Sequence, residues 1–300
     1  MGEWLLTLEG TVAGHNLAMV LAVAAAALHA IFGALQKGRH DPWLSRGAID
    51  ASYGIMALPV ALFAVPWPEP HMWPIFAGVL VIHTVYKTFQ VMSYDRGAYT
   101  VVYPVMRGTA PLVTVLAAGV VFDEVFTPMQ WAGVMVLTGA IFALGFVNLR
   151  DTPVGRARLA QGLVLALLTG VMVAAYTTYD AYGIRATANP FTFVFWFYVV
   201  DSLVFPWVAL AHYRRLTDPP ALPGLALRGV IGGLVAFGSF SCIMLATRLD
   251  KVGEAAVLRE TSVVFAALIG WAFLGDRVGP LRAALMVAIA GGAVVVEFGG

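Results

Sequence analysis

Charge is what this sequence has least of. Of its 300 residues only 12% are Asp, Glu, Lys or Arg, 60% are hydrophobic, and mean hydropathy is +0.83. A soluble domain of ordinary composition carries about 25% charged residues. The chain has too little polar surface to cover a water-facing globule and reads as an integral membrane protein. Its net charge of +1 leaves no basic field for nucleic acid and no acidic tail. A single cysteine, Cys242, excludes an intrachain disulfide. Lys and Arg are missing from the first 15 residues, which carry Glu3 and Glu9. That is a poor signal-peptide n-region, so the first apolar run is expected to be a retained helix. The chain also lacks GxxxxGK[ST], HExxH, GxSxG and CxxC patterns, which carry nucleotide, metalloprotease, serine-hydrolase and dithiol chemistry. No cofactor is implied.

Long apolar runs fill the space. A span takes about 20 apolar residues, and runs bounded by turn or charge clusters fall at 16–36, 46–66, 72–94, 98–121, 127–148, 159–183, 190–212, 223–247, 252–274 and 279–298. The short connections leave no room for a soluble domain. One constant shift, the one that lays Arg107 on Arg259, also lays Met92 on Met244, Arg96 on Arg248, Thr109 on Thr261, Glu124 on Asp276, Pro128 on Pro280 and Gly139 on Gly291. The expected organisation is therefore two five-helix repeats, 1–150 and 151–300. An odd number of helices per repeat makes the second copy enter the membrane from the opposite side. That is the inverted-repeat plan of secondary transporters, with a site near the midplane around a central cavity.

Two stretches carry a family resemblance: PLVTVLAAGVVFDEVFTPMQWAGVMVLTGAI and VVFAALIGWAFLGDRVGPLRAALMVAIAGGAVV. In each, a small-residue helix ends in an acidic residue and a short turn leads into a Gly-bearing helix. Each resembles the second half of an EamA module, and two modules in ten spans resemble the bacterial drug/metabolite transporter superfamily. Asp276 stands where the family usually shows Glu, and Leu285 stands where the first half has Gly133. The resemblance implies an all-α, ten-helix transporter of the bacterial inner membrane. It also implies a frequent direction and cargo, export, including export of amino acids by the YddG-type branch.

Positive charge favours the cytoplasmic side of short loops. The odd-numbered connections hold twelve Lys or Arg, among them Lys37, Arg46, Arg96, Arg150 and Arg214. The even-numbered ones hold three, Arg185, Arg248 and Lys251. This bias puts both termini outside.

Ionisable groups inside a span cost roughly 2.5–3.5 kcal/mol each on insertion scales and mark pathways. Arg107 and Arg259 lie deep in the fourth and ninth spans, and the repeat sets them across a pseudo-two-fold axis. Guanidinium is a fork of donors matched to carboxylate or phosphate; the bland alternative is pairing with a buried acid of another span, or with carbonyls freed by Pro104 and Pro111. Glu260, next to Arg259, is expected to point elsewhere on the helix. The third span carries His83, Tyr86, Lys87 and Gln90 on one face, and the fourth carries Tyr99, Tyr103 and Arg107. Two such stripes suggest a water-accessible cavity, although Lys87 also suits snorkelling and His83 an ordinary interhelical hydrogen bond. On the sixth span Tyr176 and Tyr179 offer aromatic surface beside Asp180, while Asp201, mid-way along the seventh, is either the partner of a buried cation or a protonatable coupling group. Ala284, Ala288 and Gly292 give the last span a small face for close packing or a dimer contact.

These readings point to a secondary transporter of small polar metabolites, most of all amino acids, acting as a monomer or homodimer in the lipid bilayer. An organic-anion or phosphate-bearing substrate is the alternative within transport. An intramembrane enzyme using His83, Lys87 and Tyr103 as acid–base groups is the alternative outside it, and that reading lacks a nucleophile or metal cluster.

Overall fold

The computed structural model describes residues 2–36, 41–97, 99–150, 156–273 and 279–300. Every element among them is a helix: α1 Glu3–Leu6, α2 Val12–Gln36, α3 Pro42–Phe63, α4 Met72–Arg96, α5 Tyr99–Val121, α6 Pro128–Arg150, α7 Arg156–Arg185, α8 Pro190–Asp201, α9 Phe205–Tyr213, α10 Leu222–Leu249, α11 Val252–Arg259, α12 Ser262–Phe273 and α13 Pro280–Phe298. Ten transmembrane segments result, because α8 with α9 and α11 with α12 are each one crossing interrupted part-way. Eight crossings are long and apolar enough to span a bilayer on composition alone. The two that fall short are α3 and the α11–α12 pair, which carry Arg46 and Asp50, and Glu254, Arg259 and Glu260. The architecture is two inverted sets of five helices.

Local chemistry sets the helix ends. Asp41 caps α3 by accepting from the N–H groups of Trp43 (2.8 Å) and Leu44 (3.1 Å), with Pro42 at the first helical position. The helix therefore begins before the expected residue 46, and Arg46, counted above as a loop cation, lies inside it and is buried. Asn189 caps α8 in the same way ahead of Pro190. At α6, the Thr127 hydroxyl accepts from Gln130 N–H (3.2 Å) while the Gln130 carboxamide oxygen accepts from Thr127 N–H (3.1 Å), a reciprocal cap.

The interruptions have causes too. Pro206 has no N–H for the carbonyl of Ser202, and its ring would clash with that carbonyl in a continuous helix. The chain leaves helical geometry after Asp201 and resumes at Phe205. At Glu260 and Thr261 the bonding tightens to three-residue steps, Glu260 N–H to Val257 and Thr261 N–H to Leu258, and the Thr261 hydroxyl also donates to Leu258 carbonyl (2.7 Å). By contrast, α5 runs unbroken through Pro104 and Pro111.

Two apolar cores hold the bundle. One joins α2, α6, α10, α11 and α13 around Leu137, Ile141, Ile243, Val257 and Ile289; the other joins α3, α4 and α8 around Tyr53, Phe76, Phe193 and Phe197. Ile55, Phe63, Val81, Val120, Trp207, Val287 and Phe298 face outward, as a lipid-contacting surface requires. Both termini lie at one end, where the Thr127 hydroxyl donates to Gly299 carbonyl (2.6 Å) and His15 approaches Glu297 (3.4 Å).

The small face of α13 is used partly inside the molecule. A Cβ on Gly292 would meet Gly133 carbonyl oxygen at 2.7 Å, and one on Gly133 would meet Gly292 oxygen at 2.7 Å. Ala284, in contrast, is exposed. Gly292→Leu is expected to push α6 and α13 apart and destabilise the fold by about 1–3 kcal/mol. Thermal melting of the detergent-solubilised protein checks this; an unchanged melting temperature contradicts the close approach.

Candidate functional site

The buried charges form two groups. The first gathers on Lys87 of α4. Its ammonium donates to Asp50 Oδ2 of α3 at 2.6 Å, lies 2.7 Å from Asp201 Oδ1, and donates to the Asp201 carbonyl (2.9 Å) and the Tyr53 hydroxyl (3.0 Å). Arg46 approaches the other oxygen of Asp50 at 2.9 Å. Tyr53 in turn donates to Asp201 Oδ2. His83, one turn before Lys87, places Nε2 3.0 Å from Asp180 Oδ2 of α7 and Nδ1 3.6 Å from Asp201. Apart from His83, two cations face three carboxylates, so acids outnumber the lysine and arginine in this group. Lys87 is 1% exposed. It is therefore paired in the interior, and the snorkelling alternative is overturned.

The second group sits at the break between α11 and α12. Arg107 Nε lies 2.7 Å from Glu260 Oε2, and its Nη2 reaches Ser262 Oγ (3.3 Å) and the Arg259 carbonyl (3.5 Å). Arg259 donates to Thr177 Oγ1 (3.2 Å), has its guanidinium 6.0 Å from the Tyr176 ring, and stays 3.9 Å from Glu260. Glu260 thus sits between both guanidiniums, contrary to the expectation that it points away. That expectation assumed a continuous helix, whereas the chain turns at this residue. Neither Glu260 oxygen is aligned for a hydrogen bond, so the contact with Arg107 is one of charge at close range. Two guanidiniums against one carboxylate leave an excess of one positive charge.

The two groups use the interruptions alike. The break after Asp201 offers Lys87 a carboxylate and a freed carbonyl; the break at Glu260 offers Arg107 a carboxylate and the Arg259 carbonyl. Discontinuous membrane helices satisfy their unpaired backbone with buried polar partners in this manner.

Between the groups stands Tyr176, its ring centroid 4.7 Å from those of His83 and Tyr86. Beside it opens a cavity of about 10 Å³, lined by Tyr176, Thr177, Asp180, Met244, Thr247 and Arg259 among others. That is room for about one water molecule. The cavity is therefore a narrow one that brings a carboxylate and a guanidinium together on α7 and α11, apart from the face between α4 and α5 where the two polar stripes lie.

Of the other residues singled out in the sequence, Tyr86 is buried and takes a hydrogen bond from Gln90 (2.8 Å). Tyr103 is half-buried and near Arg107 and Ser262. Tyr179 packs its hydroxyl against Gly78 and its ring near Tyr182, so it is not among the residues lining this cavity. Tyr99 lies in the first turn of α5, and its side chain falls outside the described residues. Asp50, Tyr53, Glu260, Thr177 and Ser262 complete the site and were not foreseen. Arg46 and Asp50 sit at i and i+4 of one helix, a spacing that pairs side chains, but reading Arg46 as a loop residue hid it.

Glu124 has a structural task. Asp123, in left-handed geometry (φ 55°), turns the chain after α5, and Glu124 accepts from the N–H groups of Val252 (2.6 Å) and Gly253 (3.0 Å), the start of α11. Burial raises its carboxyl above the usual range, opposed by those two donors and by Arg185. Its repeat mate Asp276 falls outside the described residues.

Residues 160–298 match the EamA-like transporter family. This half of the chain is similar to an EamA module. The module spans α7 to α13 and so contains the second-half contributions to both charge groups, Asp180, Asp201, Arg259 and Glu260. The match and the apolar crossings together describe a multi-pass membrane protein whose second half is similar to transporters of this family. No curated protein matches the chain. A solved structure titled only as a crystal structure of a protein shares 17% identity over 94% of this chain and 95% of its own, with a TM-score of 0.73; that likeness extends the shared fold across both halves.

Proposed function

We propose that the protein is a secondary transporter of amino acids, or of closely similar zwitterionic metabolites, working by alternating access with export as its direction. The observation that carries this reading is the pairing of Arg259 and Asp180 in one cavity, the first belonging to the arginine-rich group and the second to the acid-rich one. A substrate carboxylate would take the Arg259 fork, its ammonium would face Asp180, and Tyr176 would cover its apolar part. Lys87 and Arg107 are already matched by acids, which argues against an organic dianion or sugar phosphate, a substrate that needs several unmatched cations. The interruptions after Asp201 and at Glu260 are natural places for the two repeats, 1–150 and 151–300, to rock about this site. With the charge-rich connections in the cytoplasm of a bacterial inner membrane, both termini face outward.

The test is thermal stabilisation of the purified protein by a panel of amino acids, organic acids and sugar phosphates. A ligand that binds only the folded state stabilises it by about 2.7 kcal/mol at 100 times its Kd. Amino acids are expected to raise the melting temperature of the native protein. The corresponding amine-free carboxylic acids are expected to fail on the native protein and to gain ground in Asp180→Asn. Stabilisation by phosphates alone would replace this reading with the organic-anion one.

A further inference from the structure

At the end of the molecule that holds both termini, four side chains converge outside the two charge groups already described. His15 lies in the first turn of α2, Asp250 caps α10, Glu254 lies in the first turn of α11 and Glu297 in the last turn of α13. One ligand atom each from His15, Asp250 and Glu254 lies within 4.8 Å of the others. His15 Nδ1 faces Asp250 Oδ2 at 2.5 Å, and Nε2 faces Glu297 Oε1 at 3.4 Å. A separate observation points to a ligand: Glu297 is only 8% exposed, and its Oε1, aimed at this cluster, accepts no hydrogen bond. A buried carboxylate oxygen left without a donor is costly, and a cation would relieve it.

Neighbouring charges do not fill the place. Lys251 and Gln130 both donate to the same oxygen of Glu254, each at 2.7 Å. Arg185 is engaged by the carbonyls of Thr247 and Asp250, Arg248 by Glu9 and backbone carbonyls, and Glu124 caps α11. Three carboxylates then face one ammonium and one imidazole, so the cluster stays negative in either protonation state of His15. An imidazole among carboxylates suits Zn²⁺ and related first-row ions, whereas Mg²⁺ and Ca²⁺ favour oxygen donors alone. We propose that His15, Asp250 and Glu254 form a binding site for a divalent transition-metal ion, with Zn²⁺ the ion their donor set favours and with Glu297, behind the other ring nitrogen of His15, adding negative charge and orienting the imidazole. Such an ion ties the start of α2 to the turn between α10 and α11 and, through His15, to the end of α13, and so braces this end of the transporter against opening.

The experiment is calorimetric titration of the purified full chain with ZnCl₂ in chelator-free buffer, beside His15→Ala, Glu297→Gln and His212→Ala. The last is a control, because His212 pairs with Asp41 (2.7 Å) at the opposite end. Native protein and His212→Ala are expected to bind one saturable equivalent per chain, undisturbed by excess Mg²⁺. His15→Ala and Glu297→Gln are expected to bind at least 10-fold more weakly while melting near the native temperature without metal. Absence of saturable Zn²⁺ binding to the native chain overturns the site, and so does native-like affinity in both variants. If His15→Ala fails to fold, Glu297→Gln, a near-isosteric change, decides alone.

Discussion

Lys87→Met is expected to be the most destabilising single substitution in the chain. The lysine is the shared cation of Asp50 and Asp201, both buried, and it also satisfies the carbonyl freed where α8 ends. Removing one member of a buried ion pair typically costs about 3–5 kcal/mol, because the remaining charge stays desolvated. Here two carboxylates lose their ammonium at once, leaving Asp50 with Arg46 and Asp201 with the Tyr53 hydroxyl and His83. The prediction is a large fall in melting temperature, or loss of a monodisperse peak on size exclusion, for Lys87→Met in detergent. Adding Asp50→Asn and Asp201→Asn to the same chain should restore most of the loss, since replacing a whole buried ionic set is often near neutral. A Lys87→Met protein that melts with the native one would show that these acids do not depend on the ammonium.

Arg259→Gln, by contrast, is expected to leave the fold standing and remove the ligand. Arg107 rather than Arg259 holds Glu260 at 2.7 Å, while Arg259 remains 3.9 Å away and lines the cavity. Truncating one partner of a desolvated charge pair costs binding about 2–5 kcal/mol, roughly 30- to several thousand-fold at 1.4 kcal/mol per tenfold. Amino-acid affinity, read from ligand-induced melting shifts, should fall by that margin in Arg259→Gln. Arg107→Gln is expected to melt early, because it strands Glu260. If the two variants exchange these behaviours, Arg107 is the ligand residue and Arg259 the structural one.

Much of the fold was legible in composition and spacing. Ten apolar runs and a constant shift between Arg107 and Arg259 are linear features, and they survive as ten crossings in two inverted sets. The pairing of the charges was not legible, because it depends on where helices stop. Asp201 read as mid-helix, yet Pro206, five residues later, ends that helix and hands the freed carbonyl to Lys87. Glu260 read as turned away from Arg259, because helical spacing says so; the tightened turn at Thr261 brings it between the two guanidiniums. Asp50 lies within the expected 46–66 run, but its partner Arg46 read as a loop cation; the Asp41–Pro42 cap starts the helix four residues before that run and makes Arg46 helical.

Lys87 has a further consequence. The shift that carries Arg107 to Arg259 carries Lys87 to Ser239, a hydroxyl that only reaches Ala25 carbonyl at 2.8 Å. Both copies kept an aspartate at the second crossing, Asp50 and Asp201, one residue off that register. A chain with two identical halves would hold either two ammoniums for the two acids or none. With one lysine serving both aspartates, the halves are no longer interchangeable: each has become the other's missing part, and neither sequence can be replaced by a second copy of its sibling.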